Sequence, residues 1–192
     1  RYSAIASERA RQVLWDDAVS HFERVARTLE TIWSFRPPKR DGYALISQPE
    51  IVAAIQSLAV NFGLVASLMF DDGPKRSTEN TAMHQMRVDR VQYFKDLLIG
   101  IDTSIYRDKS LRNRHLHADE YLCKMLAKSP ASAIFQNIAL SEKAAINATV
   151  PIIYVRVYAY GEDVLMHLGS EFDARQLYEA NLLIAERLRS PS

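Results

Sequence analysis

The sequence is poor in the residues that mark secreted, repeat or low-complexity proteins. Its 192 residues include one cysteine, Cys123, so no disulfide can form within the chain. Glycine occurs six times, no internal repeat is present, and no apolar signal-peptide core lies near the first residue. A reducing compartment fits this composition, and we expect a cytoplasmic protein. Cys123 lies in an apolar stretch, so we predict that it is a buried packing residue.

The chain as a whole has almost no excess of positive over negative charge. The 24 Lys and Arg residues are balanced by 23 Asp and Glu residues, and a net charge of +1 excludes a general polyelectrolyte binder. Residues 107–117, RDKSLRNRHLH, are the exception, because one acidic residue there faces several basic ones. The basic residues are Arg107, Lys109, Arg112 and Arg114, and the acidic residue is Asp108. Positive charge is therefore concentrated in one short segment.

One long uncharged run could be either a membrane-spanning helix or a helix buried in the protein. Ile51–Phe70 carries no charged residue and has about the length that crosses a bilayer. Its flanks, however, lack the basic and aromatic anchors of a spanning helix. The run also contains four polar or small residues, Gln56, Ser57, Asn61 and Gly63. We therefore predict a central buried helix and expect no membrane partner.

Helical periodicity dominates the rest of the chain and predicts one domain over residues 1–192. An N-terminal helix and a connector, residues 39–46, occupy residues 1–46, and a core bundle occupies residues 47–192. Apolar spacing, proline stops and serine caps predict five to six helices in total. The clearest helices are Glu8–Phe35, Ser47–Phe70, Thr81–Ile101, Leu111–Ala127 and a last helix that begins at Ser170 with Asp173 as its carboxylate partner.

The segment Ser141–Leu168 is less regular. Val150–Tyr158, VPIIYVRVY, is rich in strand-favouring residues, and Pro151 is awkward inside a helix. A lone strand needs a partner, however, and no second run of this type stands out. We therefore predict a long helix kinked at Pro151 and an all-α fold, a helical bundle.

Three residues of the basic segment carry groups suited to phosphodiester chemistry. Histidine exchanges protons near neutral pH, as His117 would have to do. Arginine offers a planar fork of donors to phosphate oxygens, which suits Arg112, and Asn113 can orient its neighbours. On a helix Asn113 and His117 share a face, whereas Arg112 and His117 are separated by roughly 140°. Arg112 therefore has to reach around, or lie in the first helical turn, where phosphate is favoured.

A purely structural role for these residues is the alternative. His115 could pair with Asp119, and Arg112 with Asp108 or Asp102. His115-Leu116-His117 looks like a metal pair, but residues two apart on a helix point to nearly opposite sides. No cysteine or carboxylate cluster supports a zinc site, so we expect no metal and no cofactor.

The segment Arg112-Asn113-Arg114-His115-Leu116-His117 matches the R-N-x-x-x-H motif and is similar to that of HEPN-superfamily proteins. These are all-α bundles, many of them dimeric, metal-independent endoribonucleases of toxin–antitoxin and abortive-infection systems. The resemblance implies a homodimer whose partners are RNA and an antitoxin or inhibitor protein. It implies catalytic roles for Arg112, Asn113 and His117. The local charge suggests RNA contacts by Arg107, Lys109, Arg114 and His115.

Two other functions stay open on the sequence. A HEPN-like module could bind a nucleotide, RNA or a protein without chemistry, and would then not need His117. A purely structural helical dimer would tolerate charge changes at Arg107, Arg112 and Arg114 with no effect beyond solubility.

Overall fold

Helices and a mixed sheet make up the part of the chain that the computed structural model describes, residues 8–35, 46–47, 49–107, 110–146 and 148–190. The helices there are α1 Glu8–Ser34, α2 Pro49–Met69, α3 Thr81–Leu97, α4 Ser110–Leu116, α5 Ala118–Lys128 and α6 Ala174–Arg189. The strands are β1 Ile46–Ser47, β2 Ala133–Leu140, β3 Ile152–Ala159, β4 Val164–His167 and β5 Ser170–Asp173. Two 3-10 turns lie at Ser104–Tyr106 and Lys143–Ala145. The predicted connector, apart from its last residue, Ile46, falls outside the described residues.

The main core lies where α2 packs against α1, with α6 on the other side of α1. The apolar spacing of α1 predicts one buried stripe, and its members Ala18, Val25, Leu29 and Ile32 are buried, whereas Leu14 is half-buried. Helix α2 is long and apolar enough to cross a membrane by length and composition alone. It nevertheless buries residues all along its length in this core. The prediction of a central buried helix is confirmed.

The prediction of an all-α fold is wrong. Strand β1 and the four strands within residues 133–173 form a sheet with the strand order β1-β2-β3-β4-β5, so the fold is α+β. Strand β3 contains most of the VPIIYVRVY run, for which a kinked helix is predicted above, and its partner is β2, AIFQNIAL. Gln136 and Asn137 interrupt the apolar pattern of β2, which hid the second strand. Strands β2 and β3 are parallel, and the other neighbouring pairs are antiparallel.

A matched irregularity bends the parallel pair. Asn137 in β2 and Arg156 in β3 both have positive φ, 59° and 54°. Neither residue is among the paired positions of the two strands. The Arg156 Nε donates to the Asn137 Oδ1 at 2.7 Å. A left-handed residue in the middle of a strand interrupts the two-residue alternation, so the side chains after it point to the opposite face. Tyr154 and Val157, three positions apart, consequently pack in the same apolar cluster.

Several boundaries differ from the predicted ones. The last helix begins at Ala174, and Asp173 caps it by accepting from the Gln176 N–H at 2.9 Å. Ser170, the predicted start, lies in β5. Cys123 is exposed, because it lies on the solvent side of α5, and the prediction of a buried thiol is wrong. The predicted helix Leu111–Ala127 is divided in two at His117.

A buried polar chain ties α6 to the other elements. The Tyr106 hydroxyl donates to the Asn181 Oδ1 at 2.8 Å, and the Asn181 Nδ2 donates to the Phe22 carbonyl at 3.0 Å. Tyr106 and Asn181 are fully buried. Groups that are buried this deeply stabilise a fold only when their hydrogen bonds are made.

Tyr106→Phe should lower the free energy of unfolding by about 1–3 kcal/mol, because it leaves the Asn181 oxygen buried without a donor. Urea unfolding measures the loss. Tyr178→Phe is the matched control, since its hydroxyl contacts Glu30 in an exposed pair at 3.2 Å. Equal losses in the two variants would show that the buried chain is not a stabilising element.

Candidate functional site

The R-N-x-x-x-H motif occupies α4 and the junction that follows it. His117 has φ −117° and ψ 37°, outside the helical range, so α4 and α5 meet at an angle there. Two hydrogen bonds of 3.0 Å bridge the junction, from the His117 N–H to the Asn113 carbonyl and from the Tyr121 N–H to the His117 carbonyl. The motif histidine therefore lies at a fixed bend and not in a loose loop.

Arg112 lies directly on α2. A Cβ added at Gly63 would lie 2.6 Å from the Arg112 Cγ and 3.1 Å from its Cβ, and it would also meet Cδ. Only a glycine leaves this room, so the aliphatic part of Arg112 fills the space that a side chain at residue 63 would take. The Asp102 carboxylate, one predicted partner of Arg112, accepts instead from the Ser104 N–H at 2.8 Å. Asp108, the other, is outside the described residues.

The Arg112 side chain lines a cavity of about 470 Å³ at the junction of the helices α1 to α4. Arginines outnumber carboxylates in its wall by four to two, and the remaining lining residues are mostly apolar. The lining residues are Leu14, Ser67, Asp71, Arg76, Glu79, Met83, Met86, Arg87, Arg90 and Arg112. The cavity is therefore a positively charged one.

The two carboxylates of the cavity are used by two of its arginines. The Arg87 Nε donates to the Glu79 Oε1 at 2.7 Å, and the Arg87 Nη1 donates to the Asp71 carbonyl at 2.7 Å. Arg87 lowers the pKa of Glu79 to about 2 through this hydrogen bond, so the carboxylate stays ionised. Arg76 pairs with the Asp71 carboxylate.

Arg90 and Arg112 are the arginines left over. The Arg90 Nη2 donates to the Ser67 carbonyl at 3.0 Å, while its Nε is buried without a partner. Burial lowers the pKa of Arg90, and the nearby charge of Asp71 offsets this only in part. Over the described ranges, no carboxylate lies within ion-pair distance of either guanidinium, and none of these residues hydrogen bonds to that of Arg112.

His117 lies outside this cavity. Its side chain is 55% exposed, and its Nδ1 is 3.4 Å from the Glu120 Oε1. The Lys124 Nζ is 3.7 Å from the other oxygen of Glu120. The carboxylate beside the motif histidine was missed, although the spacing of three on a helix signals it. The structure thus gives Arg112 and His117 different surroundings.

The other predicted site residues are dispersed. Asn113 is half-buried, and Arg107 is exposed after the 3-10 turn. The hydrogen bond from Lys95 lowers the pKa of Asp72, and the charge of Arg107 makes a smaller contribution in the same direction. The Arg114 guanidinium donates to the Leu168 carbonyl and lies 4.8 Å from the centre of the Tyr121 ring. Arg114 therefore joins α4 to the sheet. Lys109 falls outside the described residues.

His115 faces the sheet and lies near His167, a histidine that belongs to no sequence motif. Its ring centre is 6.2 Å from that of His167, which is 2% exposed on β4. The His167 Nδ1 accepts from the Arg156 N–H at 3.3 Å, and its Nε2 is buried without a partner. Burial, together with Arg156 and His115, lowers the pKa of His167 to about 4. Burial and Arg156 lower that of His115 as well.

The cavity residues on α3 were also missed. Met83, Met86, Arg87 and Arg90 follow the spacing i, i+3, i+4, i+7, which places them on one helix face. That spacing is the one signal in the sequence that could have grouped them. It does not say which of the two arginines finds a carboxylate.

Comparisons with protein-family models, with curated proteins and with solved structures find no match to this chain. Its chemistry is therefore inferred from its own side chains. In the described part of the chain, no group of three or more His, Cys, Asp or Glu residues is arranged to hold a metal ion.

The buried His167 should make the fold sensitive to mild acid. Its folded pKa of about 4 lies below the ordinary 6.5, so between these values the unfolded chain binds more protons. Stability is then complete above pH 6.5 and falls by roughly 1.4 kcal/mol per pH unit as the pH drops towards 4. Urea unfolding between pH 5 and 7 should show this slope, and His167→Gln should flatten it. An unchanged slope in His167→Gln would contradict the assignment.

Proposed function

We propose that this chain is a metal-independent endoribonuclease of the HEPN type, acting as a toxin or as an abortive-infection effector, with its motif carried by an α+β fold. The observation that carries the proposal is the guanidinium of Arg112. Arg112 lines a positively charged cavity, and among the described residues no carboxylate is paired with its guanidinium. Arginines that serve only stability are normally paired when they leave water. An unpaired one is suited to phosphate.

The reaction assigned to the motif is an internal transesterification. The ribose 2′-oxygen attacks the neighbouring phosphorus as its proton passes to a base, and a phosphorane forms. The bond from phosphorus to the 5′-oxygen then breaks, and an acid protonates that leaving oxygen, which yields a 2′,3′-cyclic phosphate. Arg112 stabilises the charge on the phosphorane, Asn113 orients the reacting groups, and His117 transfers protons.

The surroundings of His117 suit proton transfer. The imidazole is exposed, so a substrate can reach its Nε2, while Nδ1 lies 3.4 Å from the Glu120 carboxylate. The carboxylate lies beside Nδ1, so the two nitrogens of the ring have different surroundings.

A second copy of the chain is part of the proposal. One motif offers a single histidine for two proton transfers, and His117 does not line the cavity that Arg112 lines. A homodimer with two sites, each built from Arg112 of one copy and His117 of the other, would bring these separated groups together, and each His117 would act first as the base and then as the acid. RNA is the substrate, an antitoxin or inhibitor protein is the expected regulator, and the cytoplasm is the proposed location.

His117→Ala should reduce cleavage of a single-stranded RNA by about 10²–10⁴-fold in the presence of EDTA, because it removes the general acid/base. Gel analysis of end-labelled RNA measures the rate and identifies the cyclic phosphate. His21→Gln on α1 is the control for loss of a histidine outside the motif. Equal cleavage by wild type and His117→Ala would reject the ribonuclease.

Mixing inactive variants tests the shared cleft. If each site takes Arg112 from one copy and His117 from the other, a mixed dimer of Arg112→Gln and His117→Ala has one intact site. Random exchange should then restore about one quarter of the wild-type rate, since half of the dimers are mixed. Activity that stays at the level of the separate variants would show that each site is built within one copy.

Binding of RNA without cleavage is the second candidate. It is favoured by the separation of His117 from the cavity, since a binding module does not need the histidine. Under this alternative, RNA is retained with an affinity that falls steeply with salt, and no product forms.

A further inference from the structure

The cavity beside α4 has the size and the lining of a small-ligand site. Its volume of about 470 Å³ falls within the range of small-molecule pockets, about 300–1,000 Å³. One part of the lining is apolar, with Leu14, Met83 and Met86, and both methionines are half-exposed. Methionine sulfur packs well against aromatic rings. The lining therefore combines an apolar surface with fixed positive charge.

The surroundings of Arg90 indicate that a ligand of this cavity would be negatively charged. A guanidinium that is partly removed from water is costly unless an acceptor or an anion compensates it. Arg90 has one backbone acceptor, the Ser67 carbonyl, and its Nε is buried with none. The carboxylates in the same cavity are engaged by Arg76 and Arg87.

Arg112 adds a second positive charge to the same space. Its aliphatic part packs on Gly63 of α2, and Arg112 lines the cavity together with Arg90. Two arginines that line one cavity match a dianion better than a single carboxylate. A phosphate monoester carries close to two negative charges at neutral pH and presents three acceptor oxygens.

We propose that this cavity binds an organic phosphate of mononucleotide size. Arg90 and Arg112 hold the phosphate group, and an apolar or aromatic part of the ligand packs on Leu14, Met83 and Met86. The nucleotide can be a free one or the phosphorylated end of an RNA strand, since the chemistry that is recognised is the same. The site shares Arg112 with the proposed ribonuclease, but it does not depend on cleavage or on His117.

Calorimetric titration of the full chain tests the site with four probes. Adenosine 5′-monophosphate and a 5′-phosphorylated RNA trinucleotide should bind, while adenosine and the unphosphorylated trinucleotide should bind at least ten-fold more weakly. Tighter binding of the mononucleotide identifies a free nucleotide as the ligand, and tighter binding of the trinucleotide identifies an RNA end. Equal binding with and without the phosphate would overturn the proposal.

Two substitutions separate the site from general electrostatics. Arg90→Gln should weaken binding of adenosine 5′-monophosphate by roughly 10- to 100-fold, because it removes a charged hydrogen-bond donor. Gly63→Ala should also weaken it, although no charge is lost, because the new Cβ displaces the Arg112 side chain. Arg175→Gln, on the exposed surface of α6, removes the same charge outside the cavity and should bind as wild type does.

Two further readouts exclude a structural explanation and keep the two proposals distinct. The melting temperature of ligand-free Arg90→Gln should change little, since the substitution removes a partly buried charge together with one hydrogen bond, to the Ser67 carbonyl. A large fall, or an equal loss of binding in Arg175→Gln, would contradict the assignment. His117→Ala should keep the affinity of the wild type. Retained binding with no cleavage in wild type would therefore reject the ribonuclease and leave the phosphate site standing.

Discussion

The close contact between Gly63 of α2 and Arg112 of α4 sets the arrangement of the candidate site. Because the arginine stem occupies the position of a side chain on α2, α4 can lie only with this residue towards the core helices. The rest of α4 follows from its helical turn. Leu111 is buried, Arg114 and His115 meet the sheet, and the chain bends at His117 into solvent. One glycine thus determines which motif residues face the cavity.

The helical half of the fold was accessible from the sequence because apolar spacing reports directly on one buried face. Helix α1 buries most of its predicted stripe, and α2 is the central buried helix that its apolar run predicts. The sheet was not accessible, because strand pairing depends on contacts between distant residues. Strand β3 was noticed, but β2 carries Gln136 and Asn137 in its centre, and its left-handed Asn137 breaks the alternation that would have identified it. The helix was preferred for lack of a visible partner.

The candidate site was predicted in its residues but not in its geometry. The motif and the local charge pointed to α4, yet spacing cannot tell which neighbours each side chain meets. Arg114 and His115, grouped with RNA contacts, face the Leu168 carbonyl and the ring of His167. Their partners are more than fifty positions away in the sequence. The sequence around Arg90 does not mark it as a site residue. Within the described part of the chain, Arg90 lacks an ion pair because Arg76 and Arg87 engage the nearby carboxylates, and this is visible only in the structure.

Arg87 and Arg90 lie on the same helix, but they differ in the number of hydrogen-bond acceptors around their guanidinium groups. Arg87 is 6% exposed, and acceptors from Glu79, Asp71, Gly73 and Pro74 surround its guanidinium. The loop before α3 therefore supplies a full set of partners where the fold needs a buried arginine. One turn later, Arg90 receives a single carbonyl and leaves Nε unsatisfied. An arginine with only a structural role would be expected to have a full set of acceptors as Arg87 does, because each missing acceptor lowers the stability of the fold. The difference between the two is what is expected when the partner of Arg90 comes from outside the chain.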